Sequence, residues 1–293
     1  MDTMGEGVTL VLGGVGIRGV ANIGCLHALR NHGVRIDRIV ATGISAVIAA
    51  QFALDGDIDQ LADRFARFFS KNHRYLWGLE HVGGGPRVGM RRELGNLSCF
   101  LRQRLFCERN LQWLSMLPDE IVTSGLSEIF GERTTADLTI PITVCAIDLN
   151  RREEVPLTEG KLVELVHAGV AFPGLFPPVS IGGTEFVSSA LYSELPLGCV
   201  RQTDSPIMAI DLPQPLALQR PRSLMEILTR SDEGRSRAMK EILLARADTV
   251  IRLDSIRRIS WGSYRRIPQL VQRAQTEMSD RLSHLDPASG CLH

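Results

Sequence analysis

Residues 8–19 read Val8-Thr9-Leu10-Val11-Leu12-Gly13-Gly14-Val15-Gly16-Ile17-Arg18-Gly19, a short apolar strand running into a glycine loop. Beyond the loop, Ile23, Leu26, Ala28 and Leu29 recur at helical rather than alternating spacing, which predicts a helix over about 20–29. A strand-to-helix glycine junction suits an anion. Its unpaired N–H groups and the positive end of the helix dipole face the incoming charge, and the glycines allow close approach.

A second junction follows. Arg38-Ile39-Val40-Ala41-Thr42 reads as a buried strand, Gly43-Ile44-Ser45-Ala46-Val47 as a sharp turn, and residues 48–54 as a helix. A serine on such a turn can raise its hydroxyl above the sheet edge while the next N–H helps to form an oxyanion hole. Val47 stands where the G-x-S-x-G pattern has its last glycine.

These two segments resemble the patatin-like phospholipase family, together with Ala171-Phe172-Pro173-Gly174-Leu175-Phe176-Pro177-Pro178 and residues 186–197. The likeness spans roughly residues 8–211. It implies an α/β fold, patatin-like, with a mostly parallel central sheet, helices on both faces and a helical cap insertion. In that family the glycine loop holds the oxyanion, the elbow serine attacks an acyl ester, and an aspartate in a D-G-G or D-G-A triplet is the base. Carried over, Gly14, Gly16, Arg18 and Gly19 match the loop and Ser45 the nucleophile, while Ser188-Ser189-Ala190 falls on the acid triplet, so that Ser188 replaces the aspartate. Val15 likewise takes the place of a loop glycine.

A hydroxyl at 188 cannot take a proton from Ser45 near neutral pH. In a serine protease, loss of the base costs about 10⁶-fold in turnover. Four other residues come into question as the base. Glu185 and Glu194 flank the triplet and read as solvated carboxylates, Asp148 as a turn or cap residue at a strand end, and His167 as a helix-surface histidine. Two functions stand side by side: a lipid acyl hydrolase with a replacement base, and a lapsed enzyme that keeps the pocket for lipid or a protein partner.

The loop also matches G-x-G-x-x-G literally, with Asp37 about twenty residues on. A ribose-binding acid should close the second strand, whereas Asp37 precedes residues 38–42, so dinucleotide binding is not expected. Neither a cofactor nor a metal site is expected. Lysine plus arginine equals aspartate plus glutamate at 33 each, which argues against a nucleic-acid binder. Six cysteines without C-x-x-C spacing, and Asp2 and Glu6 near the start, suggest reduced thiols and a cytoplasmic chain. No apolar run approaches a membrane span.

Residues 5–255 are expected to form the patatin-like domain, with a cap over about 71–136 holding Tyr75, Leu76, Trp77 and Arg87, Arg91 and Arg92. That segment suits either a packed lid or a peripheral contact with a membrane surface. Strands are predicted at 142–147, 153–157, 207–210 and 249–253, and a helix at 161–170. Residues 256–293 are expected to be a C-terminal extension, with a polar outer helix over 267–282.

Overall fold

In the computed structural model the described residues are 7–14, 16–72, 115, 117–204, 206–214, 220–221, 224–257, 259 and 264–284. Val15 and the stretch expected to hold the aromatic and basic part of the cap, 73–114, lie outside them.

Among the described residues, eight strands form one mixed sheet. β1 (Val8–Leu12), β2 (Ile36–Ala41), β3 (Ile142–Asp148), β7 (Ile207–Asp211) and β8 (Thr249–Arg252) run parallel in the order β3-β2-β1-β7-β8. β4 (Glu153–Leu157), β5 (Val179–Ile181) and β6 (Thr184–Ser188) add an antiparallel flank on β3. Alternation sorts the two faces. Leu10, Leu12, Ile39, Ala41, Val144, Met208 and Ile210 enter the main core, whereas Val11, Val40, Cys145 and Ala209 enter a smaller one behind the sheet.

The main face is covered by α1 (Ala21–Asn31), α2 (Ile44–Asp55), α5 (Leu162–Val170) and α7 (Ile267–Ser283); α3 (Leu61–Lys71) and α4 (Asp119–Phe130) extend that side. α2 is apolar nearly all round, which fits a helix enclosed by neighbours. On the other face, α6 (Leu224–Leu244) and the chain from Leu195 to Val200 cover the smaller core.

Three strands meet around β3 in a way that builds the site. Val144 pairs with both Ala41 and Leu157, and Ala146 with both Val155 and Ser188. β2 and β6 therefore share one edge of β3, end to end, with β4 on the other edge. Where β2 stops and turns into α2, β6 brings in Ser188.

The C-terminal helix departs from its expected place outside the fold. Ile267, Leu270, Ala274 and Met278 of α7 are buried in the main core, against α1. Their spacing is helical, but the surrounding arginines and glutamines hide the stripe. The contact is close at Gly24 of α1, where a Cβ would meet the Val271 carbonyl oxygen at 2.1 Å and the Gln275 nitrogen at 2.7 Å. Both are main-chain atoms, so α7 must shift to admit a methyl group. Gly24→Ala is expected to destabilise the fold by about 1–3 kcal/mol, read as a lower urea midpoint and melting temperature. An unchanged midpoint would show that α7 is not held there.

Candidate active site

Gly43 makes the turn from β2 into α2. Its φ of 62° and ψ of −150° suit glycine alone, and its N–H donates to the Gly169 carbonyl at 2.9 Å. The helix then starts at Ile44, so Ser45 lies inside its first turn and is fully buried. The last glycine position of the elbow is not where the chain packs most closely. Val47 faces a cleft, and the tight approach is at Gly169 of α5, whose Cβ would meet Val144 at 2.6 Å and Ala46 at 3.1 Å.

The Ser45 hydroxyl is engaged twice. It donates to the Gly13 carbonyl at 2.8 Å and accepts from Asn22 Nδ2 at 2.8 Å, while the same Asn22 amide donates to Gly13 at 2.9 Å. Gly13 offers only an acceptor here, so the Asn22 NH₂ group must face it. The other end, Oδ1, is buried without a partner. A carbonyl is no base, and among the described residues the hydroxyl has neither a carboxylate nor an imidazole as partner.

Two N–H groups expected to aid an oxyanion hole are also committed. Gly14 donates to the Glu194 carbonyl at 3.1 Å, and Ala46, next after Ser45, donates to Gly43 at 3.0 Å. Gly14 and Gly16 both line the cleft, and both have positive φ. Gly19 is pressed against the elbow, where a Cβ would come within 2.3 Å of Ile44 Cγ2 and 3.1 Å of Ser45 Oγ. Arg18 is 3% exposed, with its Nε unpartnered. Burial lowers its pKa, opposed by Glu194 and Glu233.

Ser188 lies at the end of β6 and borders the cleft, where its Oγ accepts from the Ala190 N–H at 3.3 Å. Ser189 points elsewhere. Its Oγ is 2.9 Å from Thr42 Oγ1 and 3.2 Å from the Cys145 carbonyl, so it clamps the triplet to the end of β2. Sequence and structure thus bring the glycine loop, Ser45 and the triplet together.

Glu194 and His167 have surroundings different from those expected, whereas Asp148 has the expected turn role. Glu194 is not solvated: its carboxylate receives Lys240 Nζ at 2.9 Å and the Gln214 amide, and Lys240 also reaches Asp211 at 3.0 Å. His167 is only 5% exposed, with Nε2 3.2 Å from Asp119 Oδ1 but unaligned for a hydrogen bond. Burial lowers its pKa, against the pull of Asp119. Asp148 caps the β3–β4 turn, accepting from the N–H groups of Asn150 and Arg151 at 2.8 and 3.0 Å. Asp37 pairs with Arg35 at the surface, at 2.9 Å.

Asn22 and Glu154 were not singled out from sequence. Glu154 pairs across the sheet with Ile147, and its Oε1 is buried with no partner. Burial pushes its pKa up to about 7, and the nearby Ser189 hydroxyl offsets part of this.

The cleft has a volume of about 870 Å³ and runs from Gly14, Gly43 and Ser188 past Ile44, Val47 and Phe172 to the facing sides of α3 and α4. Its size and apolar lining suit an acyl chain. Among the described residues no helix is long and apolar enough to cross a membrane, and no cluster of ligating side chains could hold a metal.

Comparison with known proteins places the fold in a family. The model of the patatin-like phospholipase family matches residues 10–198. Lysophospholipase NTE1 of Debaryomyces hansenii is 24% identical over 208 residues, covering 71% of this chain and 12% of that protein. Patatin-like phospholipase domain-containing protein 7 of Rattus norvegicus is 26% identical over 175 residues, 60% of this chain and 11% of that one. The chain therefore spans about an eighth of the length of these relatives. Among solved structures, VipD of Legionella pneumophila superposes with a TM-score of 0.50 at 11% identity, over 95% of this chain and 67% of that one, a likeness of fold.

Glu154 gives the site a measurable pH signature. An unfolded glutamate releases its proton near 4.5, whereas the folded chain keeps it to about 7. The stability from the protonated form is therefore complete below 4.5 and lost as the pH rises through 7. Glu154→Gln should flatten that fall and leave the variant more stable than the parent at alkaline pH, by about 3 kcal/mol at most. Parallel urea titrations between about pH 5 and 8 check this; parallel curves for the two proteins would refute it.

Proposed function

This chain belongs to the patatin-like phospholipase family, and on that premise we propose that it binds acyl lipid in the cleft beside Ser188 while cleaving esters at near-background rates. One observation supports this above the others: the Ser45 hydroxyl donates its hydrogen bond to a main-chain carbonyl and is held there by Asn22. With no general base, what remains of a serine hydrolase's power is about 10³–10⁴ over water, from oxyanion and binding effects. Even these are weakened here, because the Gly14 and Ala46 N–H groups are used internally. The family's hydrolase chemistry is the second reading, supported by the serine kept at the start of α2 and by relatives named lysophospholipases.

The cytoplasm is the proposed location, with lipid reached by peripheral contact at a membrane surface. Free thiols at Cys25, Cys145 and Cys199 suit a reducing compartment. The proposed domain runs over residues 5–255, with the cap contributed by about 71–136, and α7 completes its core through Ile267, Leu270, Ala274 and Met278.

A fluorophosphonate probe and a short-chain ester test the reading. Labelling and turnover of the parent should equal those of Ser45→Ala. Ser188→Asp alone should stay near that level, and Ser188→Asp combined with Asn22→Ala should gain at least tenfold, because the first restores a base and the second frees the hydroxyl. Labelling of the parent that vanishes in Ser45→Ala would overturn the proposal in favour of an active hydrolase.

A further inference from the structure

One wall of the cleft stands apart from the sheet. α4 contributes Ile121, Gly125 and Ile129 to the lining and packs, among the described elements, chiefly on α5. α5 in turn anchors the elbow, since its Gly169 carbonyl accepts from the Gly43 N–H, and its Val170 also lines the cleft. The seam between these two helices therefore governs how far the wall can move from the floor. His167 of α5 and Asp119 in the first turn of α4 face each other across it.

The imidazole is buried, and its Nε2 has no hydrogen bond although Asp119 Oδ1 lies 3.2 Å away. Asp119 is half-exposed and turned to its own helix, where Oδ2 accepts from the Thr123 hydroxyl at 3.0 Å. An imidazolium in this seam would thus have one misaligned, partly solvated carboxylate as its counter-charge. The other elements packed on α5 supply none that acts on the ring: α2 carries Asp55, β3 Asp148 and β6 Glu185, while β5 has no charge. Glu164 belongs to its own helix, and Glu120 and Glu128 of α4 line the cleft. Burial lowers the ring's pKa by more than Asp119 raises it, so the closed seam favours the neutral ring. A histidine freed from the seam titrates near 6.5; closure is therefore fully supported above that pH and loses support as the pH falls below it.

We propose that the His167–Asp119 pair is an acid-sensitive latch on the cleft: a proton on the imidazole loosens α4 from α5, and a chain held at neutral pH is released in acid. The assignment rests on the reading of the cleft as a lipid site and adds how its occupancy is controlled. The coupling runs both ways. A guest lying between α4 and the floor favours the closed seam and so opposes protonation of the ring, just as protonation opposes the guest.

Fluorescence titration with N-phenyl-1-naphthylamine, an apolar dye that carries no charge in this range, tests the latch without a titrating ligand. A Glu154→Gln background removes the carboxyl that titrates at about 7 beside Ser189. In that background the affinity should fall about two- to tenfold between about pH 7.5 and 5.5, and release should quicken. His167→Gln should bind the dye equally at both. Asp119→Asn keeps an acceptor for Thr123 but removes the counter-charge, so its loss of affinity in acid should be deeper than the parent's. A melt at the higher pH checks that each variant is folded, and Asp119→Asn, at a half-exposed position, carries the test should His167→Gln not fold. Constant affinity across the range, tighter binding in acid, or an unchanged acid response in Asp119→Asn would overturn the latch and leave the cleft reading standing. No binding at either pH would overturn both.

Discussion

The Gly13 carbonyl at the end of β1 accepts from two side chains at once, the Ser45 hydroxyl and the Asn22 amide, which also bond to each other. This triangle ties three elements together. Gly13 directly follows the first strand, Asn22 lies in the first turn of α1, and Ser45 in the first turn of α2. All three groups are buried, where hydrogen bonds are strong and unpaired groups costly. The geometry that makes the junction rigid also removes the serine from solvent. One buried atom, Asn22 Oδ1, is left without a partner, at a cost of about 1–3 kcal/mol.

A second set of contacts fixes the glycine loop from behind the sheet. Lys240 of α6 bonds to Glu194 and Asp211 at once, and Asp211 also receives Arg252 at 2.8 Å. Burial alone would lower the Lys240 pKa, but the two carboxylates outweigh it and raise it. With Glu194 so anchored, its carbonyl takes the Gly14 N–H, and a Cβ on Gly13 would collide with that same carbonyl at 1.7 Å. The segment after the serine triplet therefore packs directly on the loop. Removing one partner from such a network strands a buried charge, which is more costly than the pair is stabilising.

Much of this was legible in the chain. Apolar strands broken by glycine clusters located β1, β2 and both helix starts, and the resemblance placed Ser45 and Ser188 near one another. What escaped is what depends on partners distant in sequence. Glu154 sits in the charged run Arg151-Arg152-Glu153-Glu154, which reads as a solvated hairpin; only its pairing with Ile147 turns its side chain toward the interior. Asn22 looks like an ordinary polar residue in an apolar helix until Gly13 and Ser45 close around it. Glu194 and His167 read as surface groups because their partners, Lys240 and Asp119, lie 46 and 48 residues away. α6 escapes the pattern because the buried positions among its described side chains, Ser236 and Lys240, are both polar.

The sealed serine and the open cleft are products of one arrangement. Ending β2 at Ala41 lets β6 continue along the same edge of β3, and this places Ser188 at the cleft while Ser189 turns toward Thr42. The two adjacent serines thus answer to opposite sides of the turn. An aspartate at 188 would put a carboxylate in an apolar opening, where its charge would demand a nearby proton or donor. A serine there is satisfied by the Ala190 N–H alone. The Ser45 hydroxyl bonds to the Gly13 carbonyl. On the proposed reading, a buried Ser45 beside an apolar cleft suits retention of a chain better than cleavage of its ester.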